Sequence, residues 1–124
     1  MINDKWLMMR ENIVKQKSKL FAVRIVRLYQ YLTDTKKEYV LSKQLLRSGT
    51  SVGAMIYESE HAETKKDFIH KMSIAQKEIN ETIYWLDLLK ETDYLLQEQF
   101  DSINNDAIEL LKLITSIIKT SKQS

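Results

Sequence analysis

Three groups of residues in this 124-residue chain have types and spacings that could carry chemistry. Gly49-Thr50-Ser51-Val52-Gly53 matches G-x-S-x-G, the turn that presents a nucleophilic serine in α/β-hydrolases. That chemistry needs a sharp strand-to-helix turn beside a histidine and an oxyanion hole, whereas these five residues sit inside an apolar helical period. Catalysis at Ser51 is therefore not expected. A phosphate-binding loop is not expected either, because the Gly-Lys-Ser/Thr ending is missing. Glu58-x-x-His61 and Asp67-x-x-His70 have the spacing used by di-iron sites in helix bundles. Such sites lie mid-bundle and take a carboxylate from each remaining helix, but both pairs here flank a single turn. No acidic residue lies between Glu11 and Asp34, and Glu58 falls roughly 200° around a helix from Ile56, away from the expected core face. The expectation is no metal, no cofactor, and a structural or surface role for both histidines.

The third group is basic. Lys15, Lys17, Lys19, Arg24 and Arg27 crowd the first part of the chain, and Lys65 and Lys66 stand side by side later. Residues 1–37 hold nine Lys/Arg against three Asp/Glu, while residues 92–124 hold three against five, although the net charge is only +2. Such cations would contact phosphates without reading sequence, giving strongly salt-dependent binding to RNA or DNA. No aromatic RNA-binding motif, helix-turn-helix or zinc knuckle accompanies them. A merely solvated helix face is the plainer reading. In an oligomer the stripe would repeat and its field would grow with copy number.

The elements that position these residues follow from composition and period. There is no proline, no cysteine and only two glycines, Gly49 and Gly53. Sheets need turn residues at many corners, and two glycines four apart cannot supply them. The absence of cysteine excludes disulfides and cysteine-ligated metals. What remains is an all-α chain, read as one domain over 1–124 with helices at about 11–32, 38–62, 65–91 and 97–119. Apolar residues recur at three- and four-residue steps: Val14, Phe21, Ile25, Leu28 and Leu32, then Leu41, Leu45, Val52 and Ile56. Phe68, Met72, Ala75, Ile79, Thr82, Leu86 and Leu89 follow a heptad alternation, as do Phe100, Ile103, Ala107, Leu110, Ile114 and Ile117. Thr35 with Glu38, and Thr64 with Asp67, have the spacing that starts a helix. Residues 120–124 are polar and expected to fray. Links of about five residues force neighbours antiparallel, which predicts an up-down-up-down four-helix bundle.

Within it, Ser48, Gly49, Ser51, Gly53 and Ala54 are small enough to let another helix approach closely. Each glycine inside a helix costs roughly 1 kcal/mol relative to alanine, and close packing would offset that. Ile69, Ile83, Trp85, Leu88, Leu111 and Ile118 flank the seams. They fit either a wide core or a second buried face used for self-association. No signal-peptide core or run of about 20 apolar residues is present, which with the lack of cysteine points to the cytoplasm and away from a membrane.

Lys43-Gln44-Leu45-Leu46-Arg47-Ser48-Gly49-Thr50-Ser51-Val52-Gly53-Ala54, with Lys66-Asp67-Phe68-Ile69-His70-Lys71 and Lys77-Glu78-Ile79-Asn80-Glu81-Thr82-Ile83-Tyr84-Trp85-Leu86, resembles the bacterial 23S rRNA intervening-sequence proteins, a four-helix-bundle family. The resemblance spans nearly the whole chain. It implies a homopentameric ring without catalytic activity. That family is similar to the accessory variability protein of diversity-generating retroelements, which binds nucleic acid and a reverse transcriptase through basic surface. Carried over by position, the resemblance marks Arg24, Arg27 and Arg47 as basic-surface residues, and Gly49, Gly53 and Trp85 as structural ones. Met55 and Ile83 depart from the family's usual asparagine and arginine, which trades polar groups for apolar surface. Two functions are thus expected to compete: a non-enzymatic nucleic-acid-binding oligomer, and a scaffold for a protein partner such as a reverse transcriptase.

Overall fold

A chain that repeats apolar residues every three or four positions can bury them only by lying helix against helix. The computed structural model describes residues 4–123, and four helices account for most of them: α1 (Asp4–Asp34), α2 (Leu41–Ser59), α3 (Lys65–Glu91) and α4 (Gln97–Gln123). No strand occurs among the described residues. Each helix packs against two neighbours, α1 against α2 and α4, and α3 against α2 and α4. Cross-helix pairs fix the directions. Lys15 meets Glu60 while Ile25 faces Gly49; Glu58 meets Lys71 while Ser48 meets Thr82; Arg24 reaches Asp106 while Lys17 reaches Glu109. Every sequential neighbour, and the closing α1–α4 pair, runs antiparallel. This is an up-down-up-down four-helix bundle.

The seams are the core. Val14, Phe21, Ile25, Leu32, Leu45, Val52, Ile56, Met72, Ile79, Leu86, Leu110 and Ile114 are each at most 2% exposed. A fully buried side chain of this size contributes about 1.5–3 kcal/mol of transfer free energy, so the seams dominate stability. One polar contact interrupts them. The hydroxyls of Ser48 and Thr82 lie 2.9 Å apart, both fully buried, and Thr82 Oγ1 is 2.8 Å from the Glu78 carbonyl. With its hydrogen bonds made, this pair fixes the α2–α3 register without leaving a donor stranded.

Helix ends differ from the sequence expectation in several places. α1 begins at Asp4 rather than near residue 11, because Leu7 packs on the core and Arg10 lies 5.0 Å from the centre of the Trp6 ring. α2 begins at Leu41 rather than 38, and Thr35 does not cap it. Instead the Glu38 carboxylate accepts from the backbone N–H groups of Val40, Leu41 and Ser42 at 3.1, 3.0 and 2.7 Å. The Ser42 hydroxyl donates back to the Glu38 carbonyl at 2.8 Å. A residue using its side chain this way stands outside the helix it starts. α2 also stops at Ser59, short of 62. α4 continues to Gln123 instead of fraying from residue 120, and Ser121 is buried against the bundle. Residues 1–3 and 124 of the expected 1–124 domain lie outside the described residues. Thr64 starts α3, its hydroxyl accepting from the Asp67 N–H at 3.0 Å.

Candidate nucleic-acid interface

The glycine segment shows how closely α1 and α2 approach. A methyl group added at Gly49 would fall 2.7–2.9 Å from three side-chain carbons of Ile25, inside van der Waals contact. One added at Gly53 would fall 3.3 Å from the Ser18 carbonyl oxygen. Ser48 and Gly49 are buried, Gly53 is half-buried and Ala54 is exposed. Beyond Gly53 the two helices part into a groove of about 400 Å³, floored by Ser18, Ala22 and Gly53 and rimmed by Lys15, Lys19, Ala54 and Tyr57. The Ser51 hydroxyl donates to the Arg47 carbonyl at 2.6 Å, an ordinary back-bond within the helix. Both histidines are exposed, Glu58 pairs with Lys71 at 3.1 Å, and no group of three potential metal ligands occurs among the described residues.

The basic residues divide into two classes that sequence could not separate. Four of them are shared with carboxylates on other helices. Lys15 Nζ lies 3.1 Å from Glu60, and Lys17 Nζ 3.2 Å from Glu109. Arg24 is held most firmly, donating to Asp106 at 2.7 Å and to the Ser102 hydroxyl and carbonyl at 2.9 and 3.3 Å. Arg47 bridges Glu81 at 2.8 Å and the nearly buried Glu78 at 3.4 Å. Glu81 also accepts from the Trp85 indole at 3.3 Å, so Trp85, half-buried against the core, closes an α2–α3 network. By contrast Lys19, Arg27 and Lys66 are exposed and form no ion pair among the described residues; Lys65, beside Lys66, is exposed too. Lys19 and Arg27 stand two turns apart, about 12 Å along α1.

Two carboxylates feel their surroundings. Burial raises the pKa of Glu11, and the neighbouring Glu60 raises it further, so Lys15 is the cation beside an electrostatically crowded pair. Burial also works against ionisation of Glu38, but its three backbone donors and the Ser42 hydroxyl outweigh that and lower its pKa. Glu38 thus holds the start of α2.

Of the residues flanking the seams, Ile118 is buried, Leu88 is half-buried, and Ile69, Ile83, Trp85 and Leu111 are half-buried and pack against the core. Met55 packs there as well. The large exposed apolar side chains are Met8, Met9, Leu20, Val23 and Val26 on α1, Tyr57 on α2, Tyr84 on α3 between Ile83 and Trp85, and Tyr39, Val40 and Leu96 at one end of the bundle. Lys36, Lys37 and Lys43, exposed and without ion pairs among the described residues, were also missed as a group. The Lys36-Lys37 doublet was the available signal.

Comparison with known proteins adds the following. The sequence profile of the 23S rRNA-intervening sequence protein family matches residues 10–116. A crystal structure at 1.70 Å, of a protein of unknown function from the S23 ribosomal protein family of Bacteroides thetaiotaomicron, is similar over 89% of this chain and 98% of its own, with 58% identity and a TM-score of 0.88. No functionally curated protein matches. No helix among the described residues is long and apolar enough to cross a membrane.

Proposed function

The chain belongs to the 23S rRNA-intervening sequence protein family, and we propose that it acts without catalysis of its own, as a cytoplasmic oligomer that holds RNA or DNA through phosphate contacts from α1. The observation that carries this reading is the set of exposed, unpaired cations, Lys19 and Arg27 on α1 with Lys66 at the start of α3. Contacts of this kind are made by charge and hold the backbone rather than the bases. The paired cations contribute less. Exposed ion pairs are worth only about 0–1 kcal/mol and exchange readily, but Asp106 and Glu109 beside Arg24 and Lys17 would repel a polyanion. Lys19 rims the groove between α1 and α2, while Arg27 lines one between α1 and α4 together with Arg24, Gln99 and Ser102. Assembly multiplies the cations: the family resemblance implies five copies, and contact between them has to leave the Lys19 rim of the apolar groove beside Gly53 uncovered.

The test is binding of a labelled oligonucleotide at low salt by wild type and by Lys19→Glu, Arg27→Glu and Lys66→Glu combined. Loss of binding with unchanged helical content supports the reading; unchanged binding overturns it. Lys15 and Arg24 are unsuitable for this test, because reversing either charge disturbs an ion pair that joins helices. A second reading, a scaffold for a protein partner, draws on the same apolar groove and on the neutralisation of half the basic stripe. It predicts a co-purifying protein that is indifferent to those three charge reversals.

A further inference from the structure

The links 35–40 and 92–96 lie at the same end of the bundle, along opposite edges of it, because α1 and α3 end there while α2 and α4 begin. The two edges carry opposite charge. On one, Lys36, Lys37 and Lys43 are exposed against one exposed acid, Asp34, while Glu38 is turned inward onto backbone donors. On the other, Glu91, Asp93, Glu98 and Asp101 are exposed. None of these eight charges has an ion-pair partner among the described residues, although seven other ion pairs are distributed along the helices. The same end leaves Tyr39, Val40 and Leu96 exposed at 53%, 71% and 64%.

We propose that this end docks on the same end of a second copy about a two-fold axis, the lysine edge of each lying over the carboxylate edge of the other. A two-fold rotation lying in the end plane, parallel to the two edges, exchanges them, which is the self-complementary arrangement an isologous contact requires. Other occupants fit less well. A nucleic acid would meet the four carboxylates, and a uniformly charged protein would meet a like-charged edge wherever it landed. Tyr39, Val40 and Leu96 supply apolar area that the contact removes from water. The end of four helices, each about 10 Å across, covers about 400 Å² per copy, or about 800 Å² in total. That is below a standard stable interface, so the contact is weak, salt-sensitive and favoured at high protein concentration. It is independent of the nucleic-acid reading, since it uses neither Lys19 nor Lys66, and it doubles whatever unit the copies otherwise build.

The test is solution mass at high protein concentration, in low and high salt, for wild type, for K36E/K37E/K43E and for E91K/D93K/E98K. Lysine at 93 makes no new backbone demand, because Lys37 already holds a φ of 57° against 69° at Asp93. Wild type is expected to show a twofold larger mass in low salt than in high. Each variant alone should keep the smaller mass in both, since its two edges then share one sign. An equimolar mixture of the two should recover the doubled mass. If either triple variant loses helical content, the doubles K36E/K37E and D93K/E98K are read the same way. A doubled mass in either variant alone, no salt dependence in wild type, or a folded mixture that stays at the smaller mass overturns the proposal.

Discussion

Gly49→Ala isolates the packing that brings α1 and α2 together. In an isolated helix the change would gain about 1 kcal/mol, because alanine loses less backbone entropy than glycine. Here the new methyl would fall 2.7 and 2.8 Å from Cγ1 and Cγ2 of Ile25 and 2.9 Å from Cδ1, with Ile25 fully buried. Cγ1 and Cγ2 are bonded to Cβ and cannot swing away without moving the rotamer or the helix, so the strain belongs in the upper part of the roughly 1–3 kcal/mol range for overpacking. The net expectation is a loss of about 1–2 kcal/mol, a shift of about 0.5–1 M in the urea midpoint. Gly53→Ala meets only the Ser18 carbonyl at 3.3 Å, so its helix-propensity gain nearly offsets the adjustment and stability stays within about 0.5 kcal/mol of wild type. A double variant, Ile25→Ala with Gly49→Ala, should lose clearly less than the sum of its single changes, because each change makes room for the other. Urea unfolding followed by circular dichroism measures wild type, the three single variants including Ile25→Ala, and the double variant. A gain in stability for Gly49→Ala, or Gly53→Ala as the more damaging change, refutes close packing at Gly49.

Two further outcomes follow from the electrostatics. Glu38→Ala removes the acceptor for three backbone N–H groups and should cost about 2 kcal/mol at neutral pH. The folded carboxyl has a lowered pKa, so its contribution is present above the unfolded value near pH 4.3 and is lost as pH falls through the folded one. The wild-type advantage over the variant should shrink below about pH 4 in acid-titrated urea melts; a gap that stays constant argues against it. At the other end of the bundle, Lys15→Glu leaves three carboxylates together with Glu11 and Glu60 and should destabilise more than Lys19→Glu, which breaks no ion pair. Glu11 carries the opposite sign: its raised pKa means folding favours the protonated form, so Glu11→Gln should stabilise at neutral pH and lose that advantage in acid. Thermal melts of the four proteins decide it, and equal effects of Lys15→Glu and Lys19→Glu would count against the crowded cluster.

The bundle was legible because its information is periodic. Residues from Met72 to Leu89 and from Ile103 to Ile117 lie on the seams their spacing indicated, since a helix face is set by local sequence alone. The starts and stops were less legible. Glu38 has the spacing of an N3 residue after Thr35, yet it stands before the helix and offers its carboxylate to three N–H groups, a choice made by local hydrogen bonding that a two-residue signature does not encode. The candidate site was least legible. Arg24 and Arg27 look alike in sequence, but one faces Asp106, 82 positions away, and the other faces solvent. Such pairings depend on which helices become neighbours, and so does the packing of half-buried Ile83 and Trp85 against the core.

The central claim is that α1's unpaired cations hold nucleic acid by charge, and salt dependence tests it most directly. The measurement is affinity for a labelled single-stranded oligonucleotide across a range of salt, with solution mass recorded alongside. The prediction is a linear fall of log affinity with log salt, with a slope of about −0.7 per phosphate contacted, and so about two or more contacts per copy multiplied by the number of copies engaged. Binding that is absent at low salt, or that persists unchanged as salt rises, contradicts it.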